Sequence, residues 1–186
     1  LDDDVVADVP VAPPTQKAIF GYGTVGSGGT NVSMSNLVSS SGVVASDVTG
    51  VGTARRIAAA AGYGGDKAIF GYGYSSAESS ISNLVSNAGV VATDTTGVGT
   101  TRYGLGAAGY GIDKAIFAYG TSASGYVSMS NLVSNSGVVA SDVTGVGTAR
   151  RSLGAASYGT DKAIFGYGST GSLSSLSNLV NNSGVV

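Results

Sequence analysis

Short apolar runs recur along the chain, each bounded by glycine, serine or a charged residue. The clearest is Ala-Ile-Phe, preceded by lysine at Lys17, Lys67, Lys114 and Lys162, so the spacings are 50, 47 and 48 residues. Each run leads into a Gly-Tyr-Gly step such as Gly71-Tyr72-Gly73, with Ala118 in place of the first glycine in the third copy. Ser-Asn-Leu-Val follows from Ser35, Ser82, Ser130 and Ser177, and Gly-Val-Val from Gly42, Gly89, Gly137 and Gly184. In the first three copies an Asp, a Thr-Gly-Val-Gly-Thr turn and an Arg complete the unit. Self-similarity at a fixed period of this length marks solenoids, propellers or arrays, and it outranks any local reading.

Within one unit the alternation predicts four strands: Arg55 to about Gly62, Asp66 to Gly73, Ser79 to Ser86, and Val90 to about Thr95. Gly-rich and Ser-rich turns separate them, as hairpin-connected strands require. The alanine run Ile57 to Ala61 has helix propensity, but it aligns with Leu105-Gly106-Ala107-Ala108, where glycine argues against a helix. Small residues suit a crowded first strand. A continuous Ala-Ile-Phe run suits a strand covered on both faces. The expected fold is all-β, built of four-stranded antiparallel units of about 48 residues, with a linear β-repeat array as the alternative. Residues 1–16 form an extended N-terminal segment, followed by units at 17–66, 67–113 and 114–161 and a partial one at 162–186.

Composition narrows the chemistry. The chain of 186 residues has no Cys and no His, which leaves no thiol nucleophile, no imidazole base and no N or S metal ligand. Only 11% of residues are charged and the net charge is −2, so no basic field exists for nucleic acid. No apolar run approaches the length of a membrane helix. Low charge with abundant Ser, Thr, Gly and Asn points to an extracellular or virion or cell-surface setting.

The order Arg, small apolar strand, Gly-rich turn, Asp-Lys-Ala-Ile-Phe, Gly-Tyr-Gly, polar turn and outer strands resembles the kelch repeat from Lys17 to Val186. The kelch glycine doublet stands here as Gly-Tyr-Gly, and the kelch tryptophan is missing because the chain has none. The resemblance implies a β-propeller with each unit as a blade. Copper-dependent kelch oxidases need His and Cys ligands that this chain lacks. The unit is also similar to tandem repeats in long proteins of phages and environmental microbes, which implies a fibre or surface protein.

Thirteen of the twenty charged residues follow the repeat. Asp47, Asp94 and Asp142 each precede Arg55, Arg102 and Arg150 by eight residues, which reads as an ion pair or turn clasp repeated once per unit. Asp66, Asp113 and Asp161 each directly precede a lysine. The phased tyrosines are expected to pack between units with the hydroxyl at the edge. Gly21 to Gly26 has the spacing of a dinucleotide fingerprint, but no helix follows to hold a pyrophosphate. Nearly every polar residue of note has repeat equivalents, whereas an enzyme breaks its scaffold's symmetry with a few unusual groups. No catalytic residue, metal site or cofactor is therefore expected.

Two functions remain. The first is a structural protein that assembles with copies of itself into a fibre, appendage or virion component. Val5, Val6, Ala7 and Val9 resemble the strand at Val43 to Asp47, and they could close the chain's own ring or add to a neighbour as an assembly strand, while a third possibility is that the four copies are cut from a longer array. Pro10, Pro13 and Pro14 then form a linker that cannot sit inside a sheet. The second is a glycan- or protein-binding module using the loops after Gly-Tyr-Gly, which vary while the framework repeats. Thr24, Tyr74, Thr121 and Tyr126 represent that face. Asn31 and Asn181 begin glycosylation sequons.

Overall fold

The computed structural model describes residues 18–27 and 29–186, and within them every regular element is a β-strand. Residues 1–17, with the expected assembly strand Val5, Val6, Ala7 and Val9, lie outside the described residues. The first sheet is a hairpin of β1 (Ala18–Val25) and β2 (Thr30–Val38). The second orders β3 (Ala59–Tyr63), β4 (Lys67–Tyr74) and β5 (Glu78–Val85) side by side. In the third, β7 (Lys114–Ala118) lies between β6 (Gly106–Tyr110) and β10 (Ser130–Val133), with a small hairpin of β8 (Thr121–Ser122) and β9 (Gly125–Tyr126) at its end. The fourth repeats the order with β11 (Gly154–Tyr158), β12 (Lys162–Gly166) and β13 (Ser177–Val180). All pairings are antiparallel, and the same partners recur: Phe70 faces Ala60 and Asn83, Phe117 faces Ala107 and Asn131, Phe165 faces Ala155 and Asn178.

The chain is thus an all-β array of small antiparallel sheets. The second, third and fourth sheets each start on the Ala-rich strand, eight residues ahead of the divisions at Lys67, Lys114 and Lys162. Two expectations need correction. The first strand begins at Ala59 and not at Arg55, because the Arg55 side chain is fully buried and Ile57 takes φ 54°. The fourth strand is not continuous. It touches its neighbour at two antiparallel bridges, Val85–Val91 and Ser82–Thr95, and units one and three do the same at Val38–Val44 with Ser35–Val48 and at Val133–Val139 with Ser130–Val143. Between the two bridges the Asn83 side chain takes the place of backbone. Its Nδ2 donates to Ala92 O at 3.0 Å and to Asp94 Oδ1 at 2.9 Å.

The Gly-Tyr-Gly step is a bulge. The register of β4 against β5 shifts between Gly71 and Gly73, and that of β1 against β2 between Gly21 and Gly23. Tyr22, Tyr72, Tyr119 and Tyr167 all sit at φ between 61° and 65°, a left-handed conformation that costs a side chain about 1–2 kcal/mol. That cost has to be offset by what the tyrosines touch.

They touch the next unit. One core holds Ala59, Ile69 and Tyr72 of unit two with Leu105, Ala115, Phe117 and Val133 of unit three. The next joins Ala108, Ile116, Ala118 and Tyr119 of unit three to Ala163, Phe165 and Val180 of unit four. The apolar interior therefore lies between sheets, and no unit has a core of its own.

Candidate functional site

The polar and aromatic residues of note converge on one construction, repeated at each boundary between units. At the first boundary the Arg55 guanidinium lies 4.0 Å from the centroid of the Tyr22 ring, and Phe70 meets the same ring edge-on at 5.2 Å. Arg102 and Phe117 do the same to Tyr72 at 4.2 and 5.2 Å, and Arg150 and Phe165 to Tyr119 at 4.2 and 5.6 Å. The tyrosine hydroxyls donate to Val51 O, Val98 O and Val146 O at the rim. Gly23, Gly73 and Gly120 each donate a backbone N–H to the carbonyl of the arginine that follows. The bulge aims the tyrosine ring at the neighbouring sheet and also presents its carbonyl to an arginine.

Each arginine is fully buried, so each N–H needs an acceptor. Arg102 donates Nε to Tyr119 O at 3.0 Å, Nη1 to Thr100 O at 3.0 Å and Nη2 to Asn131 Oδ1 at 2.6 Å. Arg55 repeats the set with Tyr72 O, Thr53 O and Asn83 Oδ1. The asparagine turns its other end to a carboxylate, Asn131 to Asp142 at 2.9 Å and Asn83 to Asp94 at 2.9 Å. Thr100 and Thr53 close each carboxylate with a backbone N–H and a hydroxyl, at 2.7 Å and 2.6 Å for the hydroxyls.

The clasp is real but its partners differ from those expected. Asp142 lies 3.8 Å from Arg102, forty residues before it, and not beside Arg150. Asp94 is likewise linked through Asn83 to Arg55 and not to Arg102. The eight-residue spacing only carries the chain from one clasp to the next. Asp47 is held by Asn36 at 2.7 Å, with no arginine among the described residues. The clasp partners Asn83, Asn131, Thr53 and Thr100 were not singled out from the sequence, although their place in Ser-Asn-Leu-Val and Thr-Gly-Val-Gly-Thr was the available signal.

Electrostatics follows the burial. Burial pushes the Tyr72 phenol up to about 12, against the opposing pull of Arg102. Burial also lowers Arg55 and Arg102 from the usual guanidinium value, against the tyrosines that raise them. For Asp94 and Asp142 burial acts upward, but the bonds from Thr and Asn outweigh it and hold both below the usual carboxylate value. The Asp66–Lys67 and Asp161–Lys162 pairs are local contacts of 2.8 and 2.6 Å between adjacent residues.

Of the loop residues, Tyr74, Thr121 and Tyr126 fall along one line. The Tyr74 ring meets Tyr103 edge-on at 5.4 Å, Tyr103 bridges to Thr121, and Thr121 pairs with Tyr126. Arg56 caps this line over Tyr74 at 5.0 Å and Arg151 over Tyr126 at 5.5 Å. Thr24 is exposed on the first hairpin, paired with Asn31. Asn31 does not suit glycosylation, because its half-buried amide nitrogen is spent on Ser75 O at 3.1 Å. Asn181 is exposed, and its oxygen accepts the N–H groups of Ser183 and Val185. An open cleft of 780 Å³ runs past Tyr63, Lys67, Tyr110, Lys114, Ser157 and Thr160.

The equivalent positions of the first and last units are exposed. Phe20 is 62% exposed where Phe70, Phe117 and Phe165 are at most 4%, and Tyr167 is 71% exposed where Tyr72 and Tyr119 are at most 1%. A side chain at Gly71 would meet Phe117 at 2.7 Å, while Gly166 has nothing within 4 Å. Leu37, Leu84 and Leu132 lie against Gly89, Gly137 and Gly184 of the following unit, whereas Leu179 is 59% exposed and Gly42 has nothing within 4 Å.

No protein-family model matches the chain, and no curated protein does. Among solved structures 114 chains are similar to it. One, titled "Structure of YjhT", superposes with a TM-score of 0.64 at 13% identity, over 80% of this chain and 48% of that one. The chain thus spans about half the length of that neighbour. The likeness is one of fold.

Proposed function

We propose that this chain is a non-enzymatic structural repeat protein whose units are kelch-like propeller blades, and that it assembles with copies of itself into an extracellular fibre, appendage or virion component. The observation that carries the reading is that the apolar interior lies between units and not within them, with the same Tyr, Phe and Arg contact recurring at successive boundaries. A contact between two different faces of identical molecules is heterologous, and it yields a ring if the rotation closes or a filament if it does not. The propeller assignment draws on the repeat length, the recurring sheet order and the fold shared with YjhT.

The test is the mass of the full chain in solution by light scattering across a concentration series. Assembly gives multiples of 18.1 kDa that grow with concentration. A strict monomer throughout would remove the reading.

A second reading rests on the line Arg56, Tyr74, Tyr103, Thr121, Tyr126 and Arg151. Aromatic rings flanked by guanidiniums suit glycans or surface proteins. Saturable binding of an oligosaccharide, abolished by Tyr103→Ala, would favour it.

A further inference from the structure

Beyond the Gly-Tyr-Gly bulge the sheets of units two to four end on a row of side chains from successive strands. In unit two Arg56 is bridged to Tyr74, and Tyr74 is paired with Glu78. In unit three Tyr103 is bridged to Thr121, and Thr121 is paired with Tyr126. In unit four Arg151 opens the row, bridged to Ser169. Residues directly opposite on neighbouring strands share one face of the sheet, so the side chains of a row stand together. The rows also meet across the unit boundaries. The Tyr74 ring meets the Tyr103 ring edge-on at 5.4 Å, and Arg151 lies over the Tyr126 ring at 5.5 Å.

This end is where the repeat is broken. The framework on either side recurs almost unchanged, but the second place of the row is Thr24, Tyr74, Thr121 and Ser169 in the four units, and the third is Asn31, Glu78, Tyr126 and Leu173. Glu78 has no charged equivalent in any other unit, and Arg56 and Arg151 have none in unit three. The two sets of tyrosines also differ in what their hydroxyls do. Those of Tyr22, Tyr72 and Tyr119 are spent on valine carbonyls of the next connection. Tyr74, Tyr103, Tyr126, Arg56, Arg151 and Glu78 are half-buried, and their polar side-chain atoms make no hydrogen bond or ion pair among the described residues.

We infer that this end of units two to four binds an oligosaccharide that carries carboxylates. The inference rests on the binding-module reading above and names its ligand class. A half-exposed phenol ring takes the C–H face of a sugar on its electron-rich side. The free tyrosine hydroxyls and the Glu78 carboxylate take sugar hydroxyls. Arg56 lies over the Tyr74 ring at 5.0 Å, and a guanidinium stacked in this way keeps its N–H donors at its rim. Those donors match a carboxylate with two parallel bonds, and Arg151 offers a second such fork across the tyrosines.

Other polymers suit the place less. An extended peptide draws its affinity from adding main chain to an open strand edge. Tyr74 and Thr121 stand on strands that are bonded on both sides, so the middle of each row offers no such edge. Nucleic acid needs a field of cations, and two arginines with a glutamate between them do not make one. The opposite end of the same sheets carries Lys67 and Lys162 already paired with Asp66 and Asp161.

The full-length chain is titrated in a calorimeter with tetragalacturonate, with neutral maltotetraose and with tetraglutamate, at one ionic strength. Tetragalacturonate is expected to bind saturably and about tenfold or more tightly than the other two, since one charge-assisted bond accounts for about that factor. Arg56→Met and Arg151→Met should each weaken tetragalacturonate about tenfold and leave maltotetraose unchanged. Lys114→Met, at the other end of β7, should change neither. The comparison of the three probes on the wild type stands whether or not the variants fold. Maltotetraose binding as tightly as tetragalacturonate, or an equal loss with Lys114→Met, overturns the carboxylate as the recognised group and leaves a binding module standing. Tighter binding of tetraglutamate overturns the sugar as the occupant. Binding of none of the three overturns both the inference and the reading it rests on.

Discussion

Replacing Arg102 with methionine keeps most of the side-chain volume and removes the guanidinium from the centre of a joint. Three acceptors lose their donor at once: Tyr119 O, Thr100 O and Asn131 Oδ1. The carboxylate of Asp142 loses a cation 3.8 Å away, and the Tyr72 ring loses the charge stacked on it at 4.2 Å. Each buried acceptor left unmade costs about 1–3 kcal/mol, and parting the guanidinium from the part-exposed Asp142 adds less than the roughly 3–5 kcal/mol of a fully buried ion pair. These figures overlap in the same atoms, so the expected loss for Arg102→Met is about 3–5 kcal/mol and not their sum. That is a large share of the 5–15 kcal/mol typical of a domain. The assay is urea unfolding followed by circular dichroism and tyrosine fluorescence, the chain having no Trp. Arg150→Met is the internal control. Its arginine has the same burial but no carboxylate among the described residues, so it should cost less. If Arg102→Met shifts the midpoint by less than about 1 kcal/mol, or if Arg150→Met costs more, the clasp does not hold the joint as argued.

Tyr72 has a folded-state value of about 12 against about 10 when unfolded, so its contribution is complete below pH about 10 and is lost as pH rises through 12. About 2–3 kcal/mol should vanish over that window, and Tyr72→Phe should flatten this alkaline limb in unfolding curves followed by phenolate absorbance. Asp94 and Asp142 are held below the usual carboxylate value, so their contribution is present above pH about 4 and is lost as pH falls through the folded values. Thr53→Val with Thr100→Val should blunt that acid limb, and an unchanged profile would place the acid sensitivity elsewhere. Gly71→Val drives a side chain at the Phe117 ring, at 2.7 Å, and should cost about 1–3 kcal/mol, while Gly166→Val meets nothing and should stay within about 0.5 kcal/mol. Equal effects at the two glycines in thermal unfolding would refute the account of the joint.

The repeat made the strands legible because their signal is local: Ala-Ile-Phe, Ser-Asn-Leu-Val and the glycine turns lie within a few residues of what they form. The fourth strand was less so, because its hydrogen bonds are taken over by a side chain, Asn83, on the neighbouring strand. The charge pairing misled for a related reason. A spacing of eight between Asp94 and Arg102 is conspicuous in the sequence, but the partners that meet, Arg102 and Asp142, are forty residues apart and separated by a whole sheet. The tyrosines were legible as packing residues from their phase alone. Their left-handed backbone was not, since nothing in Gly-Tyr-Gly says that the middle residue joins the glycine after it at positive φ.

That conformation ties the folding of one unit to its packing on the next. A tyrosine at positive φ is unfavourable within its own sheet and becomes favourable only when Phe and Arg of the next unit cover it. The buried arginine is costly in the same way, because its acceptors come from two strands and a connection that meet only when adjacent sheets are stacked. Each unit is thus stabilised mainly at its boundaries, which is the nearest-neighbour behaviour of a repeat array. Tyr167, still in the left-handed conformation, carries the strain without the contact that offsets it, for its ring is 71% exposed.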